Sequence, residues 1–371
     1  MLRYGFLFFL FLFFRYQSDV IAYMLSNWVG HFVKPYPWSM ALGLTLIWGV
    51  VGWLVERVLQ TLTKHAKLWT LVAQGWAASA CISMMFCSWS HQLILLVVAI
   101  ALGALLQWLS QRDGIGKALR PSFYHTLTWA MLQLLLLCLY VGIGNGVSDL
   151  QHYELKTGQA LHSKHPRKAY EVGEKSYVTS HRLFAMRCYL LATTHKKGLA
   201  DKIFEQMVPK GGAECLLLPT DEMQNLLFPQ DNLAKLLESD RHQGEKAIDY
   251  LHRCAWLAAF RDGKSHAAAI DYYLCGLLLD RQLDRFASEL QRYYPLEVEK
   301  GSLPRYYAQA LTLYKHLSTH PLVLYVDNSV EANYQDYSDM ADTLSNPAYR
   351  VNLLRQSYGE TYWWWYAYGA H

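Results

Sequence analysis

Long, nearly continuous apolar segments fill the first 148 residues, whereas apolar residues in the remainder recur three and four apart among charged ones. Four segments are long enough for a helix that crosses a hydrocarbon core of roughly 30 Å, which takes about 20 residues. These segments are Trp38–Leu59, Leu68–Cys87, Leu93–Leu109 and Phe123–Ile143. Trp and Tyr cluster at their ends, as is typical of residues at a membrane–water boundary.

The segment before these spans has two parts. Tyr4–Phe14 is wholly apolar but too short to cross alone, and no small-residue cleavage site follows it. We interpret residues 4–18 as an uncleaved first span, although the other loops give the same orientation without it. Apolar residues from 20 to 33, Trp28 among them, recur on one helical face. This spacing predicts an interfacial amphipathic helix that Ser18 or Asp19 caps.

Charge separates the two halves and orients the spans. The first 148 residues contain nine Lys and Arg but three acids, which leaves 25 basic and 27 acidic residues in the remainder. Basic residues cluster in two loops on one side of the spans: Arg57, Lys64 and Lys67, and Arg112, Lys117 and Arg120. Because Lys and Arg mark the cytoplasmic side, the N-terminus is predicted inside and the C-terminal half outside. Arg15 and Lys34 are the exceptions, since they fall on the outer side.

Residues 148–371 carry a helical pattern without strand alternation. Predicted helices are Asp149–His162, Pro166–Tyr177, His181–Thr193, Leu199–Met207, Asp221–Leu227, Asn232–Glu238, Glu245–Phe260, His266–Leu279, Leu283–Tyr293, Pro304–Leu317 and Pro347–Gln356. Between Ala267 and Pro295, apolar residues follow the spacing of tetratricopeptide packing positions. The predicted fold is all-α: about five transmembrane helices in residues 1–147, then an extracytoplasmic tetratricopeptide-like domain in 148–371. An irregular helical bundle is the alternative.

The chain ends in an aromatic segment. Seven of the eleven residues Tyr358–Tyr368 are Trp or Tyr, which would be a liability if left in water. They could cap the apolar end of the helical domain, dock on the membrane, or bind a partner. We therefore predict an interaction surface at Trp28 and the tail residues Tyr362, Trp363, Trp364, Trp365 and Tyr366.

Two short motifs carry a resemblance to a known family. The helix start Leu303–Leu311 and the end segment Tyr358–Trp363 resemble an uncharacterised family of Gram-negative inner-membrane proteins, a domain of unknown function. The resemblance implies several spans, a periplasmic tetratricopeptide-like region and a Tyr/Trp-rich end. It implies no activity.

Arg15 and Asp19 are the candidate catalytic residues if the protein is an enzyme. They lie four apart, so a helix would place them on one face where they can pair. Ionisable residues at membrane depth are candidates for function. An acid after the first span resembles membrane glycosyltransferases that use polyprenyl-phosphate sugars, although those enzymes have more than five spans. The alternative is that Arg15 snorkels to the interface and Asp19 caps a helix.

No other motif predicts chemistry. The sequence has no metal-ligand pattern, nucleotide-binding loop or nucleophile elbow, so we predict no metal and no cofactor. Basic residues between spans act as topology determinants, and the helical half has no basic aromatic stripe, which argues against nucleic-acid binding. Cys188, Cys215, Cys254 and Cys275 of the outer domain could pair in three ways or stay as buried thiols.

These patterns favour a non-enzymatic, multi-pass bacterial inner-membrane protein that presents a periplasmic helical domain as a protein-interaction scaffold. Membrane lipid and another membrane or periplasmic protein are the predicted partners. Two alternatives remain open. One is a membrane-embedded transferase that acts on a lipid-linked substrate, and the other is an accessory subunit of a membrane transport complex.

Overall fold

A computed structural model of the chain describes residues 2–112, 123–162, 171–172, 178–194, 198–218, 237, 241–259, 264–294 and 303–369. Every regular element in these ranges is helical, and no strand occurs in them. The chain divides into two compact units, Met1–Leu155 and Lys156–His371. The predicted helices at Asp221–Leu227, Asn232–Glu238 and Pro166–Tyr177 lie wholly or mostly outside the described residues, as do Lys117 and Arg120.

In the described residues, the first unit contains six helices and the beginning of a seventh. They are α1 (Leu2–Tyr16), α2 (Ser18–Val29), α3 (Pro37–Leu59), α4 (Ala66–Ser83), α5 (Trp89–Arg112), α6 (Phe123–Gly144) and α7 (Asp149–His162). Three stretches within them are long and apolar enough to cross a membrane: Pro37–Leu59, Trp89–Leu109 and Leu127–Gly144. The pair α1 and α2, bent by 67°, brings the number to four if it forms one span.

Helix α4 differs from the prediction of a span over Leu68–Cys87. It ends at Ser83 and is not among the helices apolar enough to cross a membrane. It packs against α3, α5 and α6, and its polar side chains Thr70, Gln74 and Ser79 are buried. A helix surrounded by other helices can carry polar groups where these find partners, and the Gln74 amide donates to the Trp48 carbonyl at 2.6 Å.

The helices α1, α3, α4, α5 and α6 of this unit run antiparallel, each to the next in this order. The Trp69 indole donates to Gln107 at 2.9 Å near one end of the α4–α5 pair, and Gln92 donates to Ser83 at 2.7 Å near the other. The Tyr140 hydroxyl of α6 donates to the Leu95 carbonyl of α5. At the opposite end of the bundle Arg3 of α1 pairs with Glu56 of α3 at 3.2 Å. Short connections between long helices favour this arrangement.

The second unit is built from the rest of α7 and from shorter helices. They are α8 (His181–Thr194), α9 (Leu199–Lys202), 3-10 helices at Ile203–Glu205 and Gly212–Leu216, α10 (Ala247–Ala259), α11 (Lys264–Leu279), α12 (Leu283–Tyr293), α13 (Arg305–Leu317), α14 (Asn328–Thr343), α15 (Pro347–Tyr358) and α16 (Tyr362–Tyr368). The predicted bounds of α7 and α12 agree with the structure.

Helices α11 and α13 form the centre of this unit. Tyr272, Tyr273 and Leu274 of α11 are fully buried, as are Tyr306 and Tyr307 of α13. Helix α11 packs on α8, α9, α10 and α12, whereas α13 packs on α12, α14 and α16. A helix that is apolar on all sides is typical of a core helix.

Two helices of this unit were not predicted. Asp327 caps α14 by accepting from the backbone N–H groups of Ser329 and Val330. The acidic stretch after Asp327 forms this 16-residue helix. Thr361 caps α16, the aromatic end segment, by accepting from Trp364 N–H. Neither segment has the long apolar stripe by which a helix is recognised in a sequence.

Candidate functional site at the break between α1 and α2

The break between α1 and α2 places polar residues inside the first unit. Gln17 separates the helices and is 1% exposed, while Ser18 and Asp19 at the start of α2 are also buried. The prediction that Ser18 or Asp19 caps the second helix is wrong. Gln17 is the N-cap residue, it makes no side-chain cap, and Asp19 lies within the first helical turn.

Asp19 instead forms a buried pair with a histidine far away in the sequence. Asp19 Oδ2 lies 2.7 Å from His152 Nδ1, and both side chains are 3% exposed. His152 lies in the first turns of α7, within the same compact unit. Because Nδ1 bonds to a carboxylate, the tautomer that carries its proton on Nδ1 is favoured and Nε2 is left to accept. A carboxylate in this position fixes the orientation of an imidazole.

The second ring nitrogen of His152 is buried without a partner among the described residues. The Tyr16 ring lies 4.8 Å from the imidazole ring, and Tyr16 itself is about half exposed. Tyr16 also hydrogen-bonds Asp149, at the start of α7. A buried nitrogen with an open lone pair has the properties required of a proton acceptor.

Arg15, the other candidate catalytic residue, has a different environment. Its guanidinium carbon lies 3.8 Å from the centroid of the Trp38 ring, at the start of α3. The predicted Arg15–Asp19 pairing is therefore replaced by an Arg15–Trp38 stack and an Asp19–His152 hydrogen bond. An arginine stacked on an exposed aromatic ring gains a cation–π attraction without entering the interior.

The residues predicted as an interaction surface fall into two groups. Trp28 is 86% exposed near the end of α2, which continues only to Val29 and is closed by Gly30 in the left-handed conformation. Tyr362, Trp363 and Trp365 are buried in the core of the second unit. The Trp363 ring packs against Tyr334 of α14, and the rings of Tyr362 and Trp365 pack against Phe204, so these three side chains offer little exposed surface. Trp364 and Tyr366 are partly buried.

The second unit has a half-buried carboxyl of its own, Asp271. Asp271 Oδ1 accepts from the Tyr294 hydroxyl at 2.7 Å and from the Tyr307 hydroxyl at 2.8 Å. Burial raises the pKa of Asp271 to about 6, although the two tyrosine hydrogen bonds lower it. The same core raises the pKa of the neighbouring Cys275 thiol through burial. Asp271 thus connects α11 to both ends of the α12–α13 connection.

All seven cysteines are free thiols, and the four of the second unit are buried. Burial raises the pKa of Cys215 to about 11 and that of Cys188 well above its ordinary value. Protonated, buried thiols are poor nucleophiles. In the part of the chain that the structure describes, no three His, Cys, Asp or Glu residues lie together in a way that could hold a metal.

An open polar groove of about 410 Å³ lies on the second unit. It is formed by the 3-10 helix at Gly212–Leu216, the first turn of α10 and the turn between α11 and α12. Its charged residues are Glu214, Lys246, Asp249, Asp280 and Arg285. An adjoining groove shares Glu214 and Lys246 with it. The mixed charges suit a polar or peptide ligand better than an apolar one.

Comparison with known proteins finds one family model that matches part of the chain. Residues 222–369 match a family described as "Family of unknown function (DUF6057)". The matched region covers less than half of the 371 residues and includes both motifs that carried the resemblance. No curated protein and no solved structure matches the chain.

Proposed function

We propose that the protein is a multi-pass membrane protein whose helical second unit acts as a docking scaffold for another protein. The polar groove beside α10, α11 and α12 carries this proposal. The groove wall includes the turn of the α11–α12 pair, which is the segment with tetratricopeptide spacing. Leu274, Leu278, Leu283, Ala287 and Leu290, all at packing positions of that repeat, are buried. Repeats of this type stack helix pairs and bind partners on the surface they create.

The membrane arrangement in this proposal has five crossings, in the bacterial inner membrane. The antiparallel contacts of α1, α3, α4, α5 and α6 support it, because each helix then returns the chain to the opposite side. Arg3, Arg57, Lys64 and Lys67 lie at or beyond the helix ends of one side. Excess Lys and Arg favours the cytoplasm. The N-terminus is then cytoplasmic and the helical unit periplasmic.

Site-specific photo-crosslinking tests the scaffold. The full-length protein is expressed with p-benzoylphenylalanine replacing Lys246 in the groove, or replacing Tyr349, an exposed residue of α15, as control. We expect a discrete protein adduct at position 246 that is absent at position 349 and weakened by Arg285→Glu. Adducts of equal yield at positions 246 and 349 would contradict a binding groove, as would an adduct at position 246 whose yield Arg285→Glu leaves unchanged.

A second candidate function is that of a membrane-embedded transferase acting on a lipid-linked substrate. The buried Asp19–His152 pair favours it, because a carboxylate-held imidazole with an open nitrogen can act as a general base. In a deletion strain, Asp19→Asn and His152→Gln should each lose complementation at normal abundance. Full complementation by both variants would exclude this function. If the protein is instead an accessory subunit of a transport complex, it should co-purify with a larger channel or pump.

A further inference from the structure

Two basic side chains at the α1–α2 end of the first unit rest on aromatic rings. The Arg15 guanidinium lies 3.8 Å from the Trp38 ring centroid, and Lys34 Nζ lies 5.9 Å from that of Tyr36. Among the described residues, neither cation has a carboxylate partner. Arg3, by contrast, is paired with Glu56. The bundle therefore leaves two cations available at its α1–α2 end.

The surroundings of these cations are those of a membrane boundary. Tyr36 and Trp38 are 58% and 60% exposed, and Trp28 on α2 is 86% exposed. Such rings are favoured at the level of lipid headgroups and glycerol. The nearby carboxylates have partners of their own, since Asp19 is buried and bonded to His152 and Asp149 hydrogen-bonds Tyr16. Two cations lie among exposed aromatic rings while the local acids are occupied, which gives this end of the bundle a positive patch.

The chemistry of the two cations selects the ligand. Stacking on Trp38 uses the face of the Arg15 guanidinium, so its five N–H donors remain available in the plane. A planar fork of donors fits two oxygens of a phosphate, and a lysine ammonium adds a point charge. A phosphate in a bilayer belongs to a lipid headgroup. Net negative headgroups complement a patch of two cations better than zwitterionic ones.

We propose that Arg15 and Lys34 form a binding site for the phosphate of an anionic phospholipid, with Trp28, Tyr36 and Trp38 packing against its glycerol and upper acyl chains. The site explains why two basic residues stand on the side of the spans where Lys and Arg are otherwise rare. It does not depend on the scaffold or on the transferase, because both would use a bundle anchored in the same lipid.

Photoactivatable lipids test the site first in the wild-type protein and then in variants that lack one cation. Wild-type protein is placed in nanodiscs of phosphatidylcholine that contain either phosphatidylglycerol or phosphatidylcholine with a diazirine near the headgroup, and crosslinked peptides are mapped. We expect peptides covering residues 28–38 to crosslink more with phosphatidylglycerol. The excess should fall about fivefold for each cation removed, in Arg15→Gln and in Lys34→Gln. Inorganic phosphate in solution should not compete.

Arg57→Gln is the matched control, because Arg57 also lies over a tryptophan ring, that of Trp53, but near the other end of α3. It should leave the crosslinking of residues 28–38 unchanged. High salt should remove the excess in the wild type, so the test stands even where a variant misfolds. Equal crosslinking by the two lipids in the wild type would overturn the proposal, as would loss caused equally by Arg57→Gln. Competition by free phosphate would show an anion site that is not specific for lipid.

Discussion

The two compact units distribute their side chains in opposite ways. Leu46, Val50 and Leu93 of the first unit are each at least 60% exposed, while Gln74, Asp19 and His152 are buried inside it. In the second unit Tyr272, Tyr307 and Trp363 are buried within a continuous apolar core. Apolar side chains gain nothing from leaving lipid, whereas they gain about 25 cal/mol for each Å² removed from water. The contrast supports the proposal that the first unit folds in lipid and the second in water.

The contrast also has a consequence for polar groups. Two polar side chains inside the first unit are held by specific partners, Gln74 by Trp48 and Asp19 by His152. In the second unit the core is closed mainly by aromatic packing, and a carboxyl such as Asp271 is an exception within it. Substitutions at these positions should therefore act through lost hydrogen bonds in the first unit and through lost packing in the second.

The largest expected effect is at the aromatic helix α16. Trp363 is 1% exposed and its ring lies 5.4 Å from that of Tyr334. Trp363→Ala should lower the free energy of unfolding of the second unit by about 4 kcal/mol, since it leaves a large cavity. Chemical denaturation in detergent measures it. Trp256→Ala, at a residue 54% exposed, is the control. Equal losses for both would show that α16 does not complete the core.

Asp271 should make the stability of the second unit depend on pH. Its folded pKa is raised from 3.8 to about 6, so the folded form holds the proton more tightly than the unfolded form. Its contribution to stability is complete below about pH 4 and is lost as pH rises to about 6. Asp271→Asn should raise the free energy of unfolding at pH 8 by on the order of 2 kcal/mol and change it little at pH 4.

The control for this prediction is Asp284→Asn, at an exposed carboxylate on the neighbouring helix α12. Denaturation curves at both pH values give the comparison. A loss of stability at pH 8 on Asp271→Asn would mean that the ionised carboxylate is favoured by its two tyrosine partners, and the account of this core would fail.

Asp19 tests the polar interior of the first unit. Asp19→Leu leaves the buried His152 Nδ1–H without its acceptor, which should cost about 2 kcal/mol. Asp19→Asn keeps an acceptor oxygen at the same place and should cost much less. Thermal unfolding in detergent distinguishes them, with Leu25→Ala at the partly exposed end of α2 as a reference. If Asp19→Leu unfolds like the wild type, the pair is not a structural element.

The smallest effect concerns the cap of α14. Asp327 accepts from two N–H groups at the helix start, so Asp327→Ala should destabilise the second unit by about 1 kcal/mol. Asp336→Ala, at an exposed position within the same helix, should cost nothing because alanine favours helices. Similar losses of stability for the two variants would mean that α14 is stabilised by its acidic charges rather than by its cap.

The periodicity of apolar residues predicted those helices that carry an apolar stripe within their own sequence. Helix α12 carries such a stripe, and its predicted bounds match the structure. The stripe is absent from α14, where only Tyr337 is buried, and from α16, which is nearly all aromatic. Helix α4 was predicted from its apolar residues, whereas its buried polar residues are explained only by the helices around it. Local pattern thus predicts a helix but not what surrounds it.

Of the two residues of the buried pair, the sequence predicted Asp19 but not His152. Asp19 was singled out because an acid beside a span is costly, and the structure buries it. His152 lies 133 residues away and follows the last span, so no local spacing connects it with Asp19. Arg15 was expected to pair with Asp19 through their four-residue separation. The break at Gln17 interrupts the helix between them, and each then finds another partner.

The central proposal is that the first unit folds in lipid and the helical second unit in water, on the side of the membrane away from the basic loops. Cysteine labelling tests this directly, using Thr61→Cys in the α3–α4 connection and Thr319→Cys after α13, both exposed. Cells with a permeabilised outer membrane are treated with a membrane-impermeant maleimide, and the wild type gives the background. We expect labelling at position 319 in intact inner membranes, and at position 61 only after lysis. Labelling at 61 with protection at 319 would contradict the account.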